Sequence, residues 1–382
     1  MKIALVILHA DPARGGAERY TIDLAAALAR AGHDVALLAT SFADVPPDVA
    51  PVQLDHRGVT RSGRYDSFLE SLDRHLDEHS YDVVHAMLPV RRCDVYHPHA
   101  GIAVAALERW STHLNPRRKR MAVVERELLS GAGAGAPVVL CLSEYVKRAV
   151  RAHHALSEDR LATLFNAVDL TRFAPAREGE APAEPGTATI DYGSAGASPS
   201  PSVNALIVAQ DFERKGVREA IDALASFPDG RLRLTVVGRE PSSSYRRFAI
   251  ELGVDVDFAG PTRDPRPFYA DADFFVLPTK HDPCSLVVLE ALAMGVPVIS
   301  TRFNGACEIM TDGVHGFVLD DPTDENALAE AMRKMLDPGL RARMSLACLA
   351  LRPKLSYENH LRTLLGLYES VLAAKRARVG SR

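Results

Sequence analysis

The 382-residue chain has few cysteines, no long apolar run and no excess of either charge. Its five cysteines, Cys93, Cys141, Cys284, Cys307 and Cys348, form no C-x-x-C pair and no metal-ligand spacing. That excludes a disulfide framework and a structural zinc site, and is expected of reduced, buried thiols in a cytoplasmic protein. No stretch approaches the roughly 18 apolar residues needed to span a bilayer. Met1 to Leu8 reads as a strand followed by polar residues, not as a signal peptide. With 45 Lys/Arg against 49 Asp/Glu the net charge is −4, so no global case for nucleic-acid binding exists. Neither G-x-G-x-x-G nor a GK[ST] phosphate loop is present. What is there is length for two domains and, at 47% hydrophobic residues, ample material for two cores.

The most informative stretch is Asp273 to Thr301. Phe274 to Leu277 reads as a buried strand stopped by Pro278. Asp282-Pro283 has the form of a helix start, with Asp as cap and proline in the first turn. Leu286, Leu289, Ala293 and Met294 recur at helical spacing, and Gly295 ends the helix before a strand at Val296 to Ser300. A strand that feeds a helix through a polar loop offers the helix's positive end to a phosphate. Asp282 and Glu290 stand eight positions apart, a rise of about 12 Å if all of it is helical. The plain alternative is that Asp282 caps the helix and Glu290 is solvated.

The first half repeats the strand–loop–helix pattern. Lys2 to Leu8 is continuous and apolar, as in a strand covered on both faces. Asp11-Pro-Ala-Arg14-Gly15-Gly16-Ala-Glu18 follows, then a helix stopped by Gly32 and a strand at Val35 to Ala39. Further strands are expected at 81–86 and 137–142, with Asp94-Val-Tyr96-His97-Pro-His99-Ala-Gly101 between them. The two histidines have no third ligand placed by sequence, so no metal is assigned. Residues 91–151 hold eleven Lys/Arg and five Asp/Glu, including Arg117-Arg-Lys-Arg120. Such a run is a solvated helix face, or a docking surface for anionic lipid or a phosphorylated glycan. Residues 176–202 are dense in Ala, Pro, Gly, Ser and Glu and cannot bury enough apolar surface to order themselves. Beyond them Asn204 to Ala209 opens a second sheet, Arg214-Lys215-Gly216 precedes a helix at Val217 to Ser226, and strands follow at 231–238 and from 256. Tyr357 to Ala374 is an amphipathic helix with a basic tail, Lys375 to Arg378, expected to be free. Alternating strands and helices in both halves give two doubly wound α/β domains.

An acidic residue, seven others and Glu, within strand–loop–helix–Gly–strand, resembles the donor motif of the retaining glycosyltransferases of family 4. Leu161 to Phe173, with Asn166-Ala-Val-Asp169, is similar to that family's signature at the end of its first domain, Ala167 standing where a glycine is usual. The resemblance implies the GT-B fold: α/β, two Rossmann-like doubly wound domains facing a cleft, with a C-terminal helix returning to the first. It implies a ribose-binding role for Glu290, diphosphate binding by the N–H groups of Ser285, Leu286 and Val287, and a place beside the donor sugar for Asp282. The family usually has glutamate at that first position. By the same resemblance Gly15 and Gly16 approach the donor phosphates, Arg214 and Lys215 contact the diphosphate, and His99 lies at the reaction centre.

The expected domains are 1–173, a disordered insertion at 174–203, a donor-binding domain at 204–355, and a crossover helix with basic tail at 356–382. The expected activity is retaining transfer of a hexose from a nucleotide-diphosphate sugar, UDP-glucose or a relative, without metal or other cofactor. Asp94-Val-Tyr96, Phe212 to Val217 and Val288-Leu-Glu-Ala291 look most like the lipopolysaccharide core glucosyltransferase I branch. Its acceptor would be a cell-envelope glycan or glycolipid. The expected location is cytoplasmic and peripheral at the inner membrane face. A nucleotide-sugar epimerase and a non-catalytic sugar-nucleotide-binding protein are the alternatives on this fold.

Overall fold

The computed structural model describes residues 1–109, 115–130, 135–175 and 202–380. Residues 176–201 of the expected insertion lie outside these. The chain divides into two compact units, one of Met1–Asp169, Asp282–Leu286 and Lys354–Arg382, the other of Leu170–His281 and Val287–Pro353.

The first unit is built on β1 (Lys2–Val6), β2 (Asp34–Ala39), β3 (Val49–Gln53), β4 (Val83–Ala86), β5 (Val95–Tyr96), β6 (Val138–Cys141) and β7 (Leu161–Thr163). Their order is β3-β2-β1-β4-β5-β6-β7, parallel throughout. The strand order reverses at β1 and β4, the place where open parallel sheets collect ligands. Ile3 to Val6 are fully buried because both faces of β1 are covered. Ile3 and Leu5 pack under the helix Gly16–Arg30 and the C-terminal helix Tyr357–Gly380. Ala4 and Val6 pack under the helix Arg61–Glu78. The short strands β3, β5 and β7 were not expected from the sequence. The first carries Pro51, which cannot donate to a ladder and suits the edge it occupies.

The second unit holds β8 (Val203–Val208), β9 (Leu232–Val237), β10 (Val256–Gly260), β11 (Phe274–Leu277), β12 (Val298–Thr301) and β13 (Gly316–Leu319). The order is β10-β9-β8-β11-β12-β13, again parallel, with its reversal at β8 and β11. All five cysteines are free thiols, four buried and Cys93 partly so.

Two expectations are corrected. The helix after β11 begins at Leu286, not at Asp282, so the separation of Asp282 from Glu290 is only partly helical. Pro283 and Cys284 sit in bends, because the chain must turn before the first helical residue. The basic tail is likewise not free at its start, since the helix runs on to Gly380 and Lys375 Nζ lies 2.9 Å from Asp94 Oδ2.

The C-terminal helix is seated by Leu364, Tyr368 and Val371, spaced at one helical face and buried in the first core. Tyr368 also meets the buried Nδ1 of His85 at 2.6 Å. Tyr368→Phe should therefore lower the unfolding free energy by about 1–3 kcal/mol, the cost of stranding a buried polar atom. Thr363→Ala, on the exposed face of the same helix, should change it by less than about 0.5 kcal/mol. Urea denaturation followed by circular dichroism distinguishes the two.

Candidate functional site

In the second unit, the loop after β8 forms a one-turn helix, Phe212–Lys215. Asp211 fixes it by accepting from Arg214 N–H at 3.1 Å and from Arg214 Nε at 2.9 Å. Arg214 Nη1 donates to the carbonyl of His281 at 2.7 Å, and the Arg214 carbonyl accepts from Lys280 N–H at 2.9 Å. The loop after β8 is thus tied to the loop after β11, across the reversal in strand order. Lys215 is 8% exposed, far from the solvated surface charge that its position before a helix would suggest. Gly216 stands in the left-handed region at φ +78, and a Cβ there would fall 2.3 Å from the Pro278 carbonyl oxygen. The close approach of the two loops thus requires glycine.

Val287 and Glu290 lie on the helix Leu286–Ala293. The hydroxyl of buried Tyr269 sits 3.0 Å from Glu290 Oε2 and 3.1 Å from the Val287 carbonyl. It holds the carboxylate in place, and its own ionisation is pushed far up by burial and by Glu290. Lys280 pairs with Glu219 at 2.7 Å. Tyr269 and Lys280 were missed in the sequence. Tyr269 reads there as a core aromatic, and only its depth beside Glu290 reveals its second role.

Asp282, Ser285 and Leu286 belong to the first unit, and Asp282 and Ser285 are buried. Ser143 Oγ donates to the Pro283 carbonyl at 2.7 Å while accepting from Val146 N–H, so one hydroxyl both caps a helix and anchors this segment. Asn166 Nδ2 donates to the Cys284 carbonyl at 3.2 Å. Gly15 precedes the helix that starts at Gly16, and a Cβ on Gly16 would meet Leu286 Cδ1 at 3.3 Å. The structure therefore brings Gly16 against Leu286 in the first unit, while Arg214, Lys215, Val287 and Glu290 lie in the second.

His99 belongs to a buried cluster in the first unit. Its ring is 4.4 Å from that of Tyr20 and 4.2 Å from that of His97, between centroids. His360 Nδ1 donates to the Phe165 carbonyl at 2.9 Å, so its Nε2 accepts from the Tyr20 hydroxyl at 2.8 Å. His85 joins Tyr368 through Nδ1 and His97 Nδ1 through Nε2, the latter at 3.2 Å. The Nε2 atoms of His97 and His99 are closed from solvent and have no hydrogen-bond partner among the described residues. Burial drives His85 down to about 3 and His360 down to about 4. Burial first, then the neighbouring histidines, hold His97 and His99 well below the usual imidazole range. All four rings are neutral at pH 7. Among the described residues no group of three or more His, Cys, Asp or Glu is arranged to hold a metal.

Two doubly wound parallel sheets, with glycine-bearing and cationic loops at the strand ends beside each reversal, define a two-unit α/β protein suited to a phosphate-bearing ligand. Residues 14–172 match the family described as Glycosyltransferase Family 4, and residues 203–338 match Glycosyl transferases group 1. The chain belongs to these glycosyltransferases. It is 26% identical over 332 residues to the lipopolysaccharide glucosyltransferase WaaG of Escherichia coli, covering 84% of this chain and 86% of that protein. It is 39% identical over 136 residues to the lipopolysaccharide core biosynthesis glycosyltransferase LpsE of Rhizobium meliloti. That second match spans 35% of this chain and 39% of the relative. The solved structure of WaaG superposes with a TM-score of 0.76 at 23% identity, covering 92% of this chain and 95% of the other. That of Anabaena HepE in complex with UDP-glucose gives 0.71 at 18%, covering 97% and 100%. These two likenesses establish the GT-B fold.

The depressed histidines set the response to acid. An imidazole that stays neutral in the fold but takes a proton when unfolded contributes stability that is complete above its unfolded pKa of about 6.5 and is lost as pH falls toward its folded value. The unfolding free energy should therefore drop between pH 7 and pH 5.5, and the His360→Gln variant should show a shallower slope by about one proton. Urea titrations at several pH values measure this. An unchanged slope would mean that His360 titrates alike in both states.

Proposed function

We propose that the protein is a retaining hexosyltransferase that moves glucose from UDP-glucose to a hydroxyl of a lipopolysaccharide-core-type acceptor. The observation that carries it is the clamp on Arg214. Its guanidinium is tied to Asp211 and to the His281 carbonyl at the reversal of the second sheet, where a diphosphate would meet a preset cation. The Tyr269-oriented Glu290 suits ribose hydroxyls, and the names of the WaaG and LpsE relatives support the acceptor class. In this reading the acceptor oxygen bonds to the anomeric carbon as the bond from that carbon to the phosphate oxygen breaks. UDP leaves with the electron pair, and the hydroxyl proton passes to the departing phosphate oxygen. Arg214 and Lys215 meet the charge that develops there, and the reading assigns no step to a cofactor. His99 and Asp282 lie beside the sugar, with neutral His99 able to accept or donate one hydrogen bond.

The same reading places the protein in the cytoplasm, at the inner membrane face. No described helix is long and apolar enough to cross a membrane, so attachment would be electrostatic, through the helix Pro116–Leu129. Arg120 is spent on Asp66 at 2.7 Å, which leaves the exposed Arg118 and Lys119 to contribute about 1 kcal/mol each near an anionic surface.

Glu290→Ala should weaken UDP-glucose binding by about 1–3 kcal/mol, and Tyr269→Phe by less, since the carboxylate remains but is free to turn. Calorimetric titration checks both. Release of UDP from UDP-glucose should depend on added lipopolysaccharide core. Conversion of the donor sugar without acceptor would identify an epimerase instead.

A further inference from the structure

We infer that the first unit carries an anion subsite, formed by Arg14, Arg61 and Arg117 around the His9–His56 pair, which takes a phosphate group of the acceptor. The word acceptor rests on the transfer reading above, while the subsite itself stands on the side chains. His9 and Arg14 follow β1, His56 follows β3, Arg61 opens the helix Arg61–Glu78, and Arg117 and Arg118 lie in the first turn of the helix Pro116–Leu129. The rings of His9 and His56 are 5.6 Å apart, edge to face. Arg117 lies within electrostatic reach of His9, His56, Arg14, Arg61 and Arg118.

These cations lack the partners that their neighbours have. Arg57 pairs with Asp55 at 3.2 Å and Arg120 with Asp66 at 2.7 Å. No ion pair is made by Arg14, Arg61, Arg64, Arg117 or Arg118 among the described residues, although Arg64 Nε donates to the Gly58 carbonyl at 3.1 Å. The acids facing the group are Asp11 and Glu18. Asp11 Oδ1 accepts from Ala13 N–H at 3.0 Å, and burial raises the Glu18 carboxyl above its usual range. Burial, then Arg14, His56 and Arg117, lower His9 to about 4 against a weaker opposing effect of Asp11. Burial also lowers the half-buried Arg117, as do Arg14, Arg61 and Arg118.

Helix ends point the same way. A helix N-terminus favours anions and disfavours cations. Both helices nevertheless have no acidic residue in the first turn and carry arginines there. Gathering like charges at two positive helix ends is unfavourable, and a bound anion offsets part of that repulsion. A phosphomonoester suits the arrangement, because guanidinium forks match its oxygens. Neutral imidazoles at His9 and His56 can each donate one further N–H.

The test is calorimetric titration of the full chain with inorganic phosphate, at fixed ionic strength and with excess UDP present to occupy the donor site. The wild type should bind phosphate, and Arg14→Gln/Arg117→Gln should bind it at least about tenfold more weakly, as expected when charged hydrogen bonds are lost. Arg302→Gln, which breaks an exposed pair with Asp320, should bind it as the wild type does. Circular dichroism verifies that each variant is folded. Titration with UDP alone is a separate readout, so absence of UDP binding would sink the donor reading without touching the subsite. Equal phosphate affinity in wild type and double variant, or equal competition by chloride, would overturn the inference. So would a wild type that ignores phosphate yet floats with phosphatidylglycerol vesicles in a manner lost in the double variant, because the arginines would then serve a lipid surface.

Discussion

Two buried imidazole–phenol contacts, Tyr20 with His360 at 2.8 Å and Tyr368 with His85 at 2.6 Å, underlie the organisation of the first unit. Buried polar atoms persist where they find partners, and here the partners stand 340 and 283 residues apart in sequence. They fix the final helix on the first core in one rotation and one register. The Tyr20 ring held in this way packs against His97 and His99. The orientation of His99 thus depends on a helix from the far end of the chain.

In the second unit the corresponding constraint is the approach of the loop after β8 to the loop after β11. Gly216 admits the Pro278 carbonyl where any side chain would collide with it. Arg214 then bridges from Asp211 to His281. The cost of ordering a long side chain is met in folding, so the guanidinium is held in one place. Arg352 plays a structural counterpart, donating to the carbonyls of Leu170, Phe173 and Ala293 and fastening the start and end of the unit to each other.

Charge is distributed by the same logic. Some arginines near the strand ends of the first sheet, Arg57 and Arg120 among them, are neutralised locally. The group around Arg117 is not, and sits at two helix starts of the wrong sign for cations. A run that looks uniform in sequence, Arg117 to Arg120, therefore splits into a residue spent on Asp66 and others with charge to offer.

The sequence by itself determined the class of fold. Continuous apolar runs such as Lys2 to Leu8 and Phe274 to Leu277 mark strands buried on both faces, and that requirement is local. It also marked the glycines at strand-to-helix turns and the spacing that carries the family likeness. It did not determine edge strands such as β3 and β7, whose pairing comes from a neighbour rather than from their own side chains. It misplaced the helix start at Asp282, because Asp-Pro is a good local cap and only tertiary packing bends the chain through Cys284 first. It gave no sign that Tyr269 steadies Glu290, that Lys375 reaches Asp94, or that His9, His56 and three distant arginines converge. Those outcomes belong to tertiary structure, because hydrogen bonds and repulsions between residues far apart in the chain exist only once the sheets have brought them within a few ångströms.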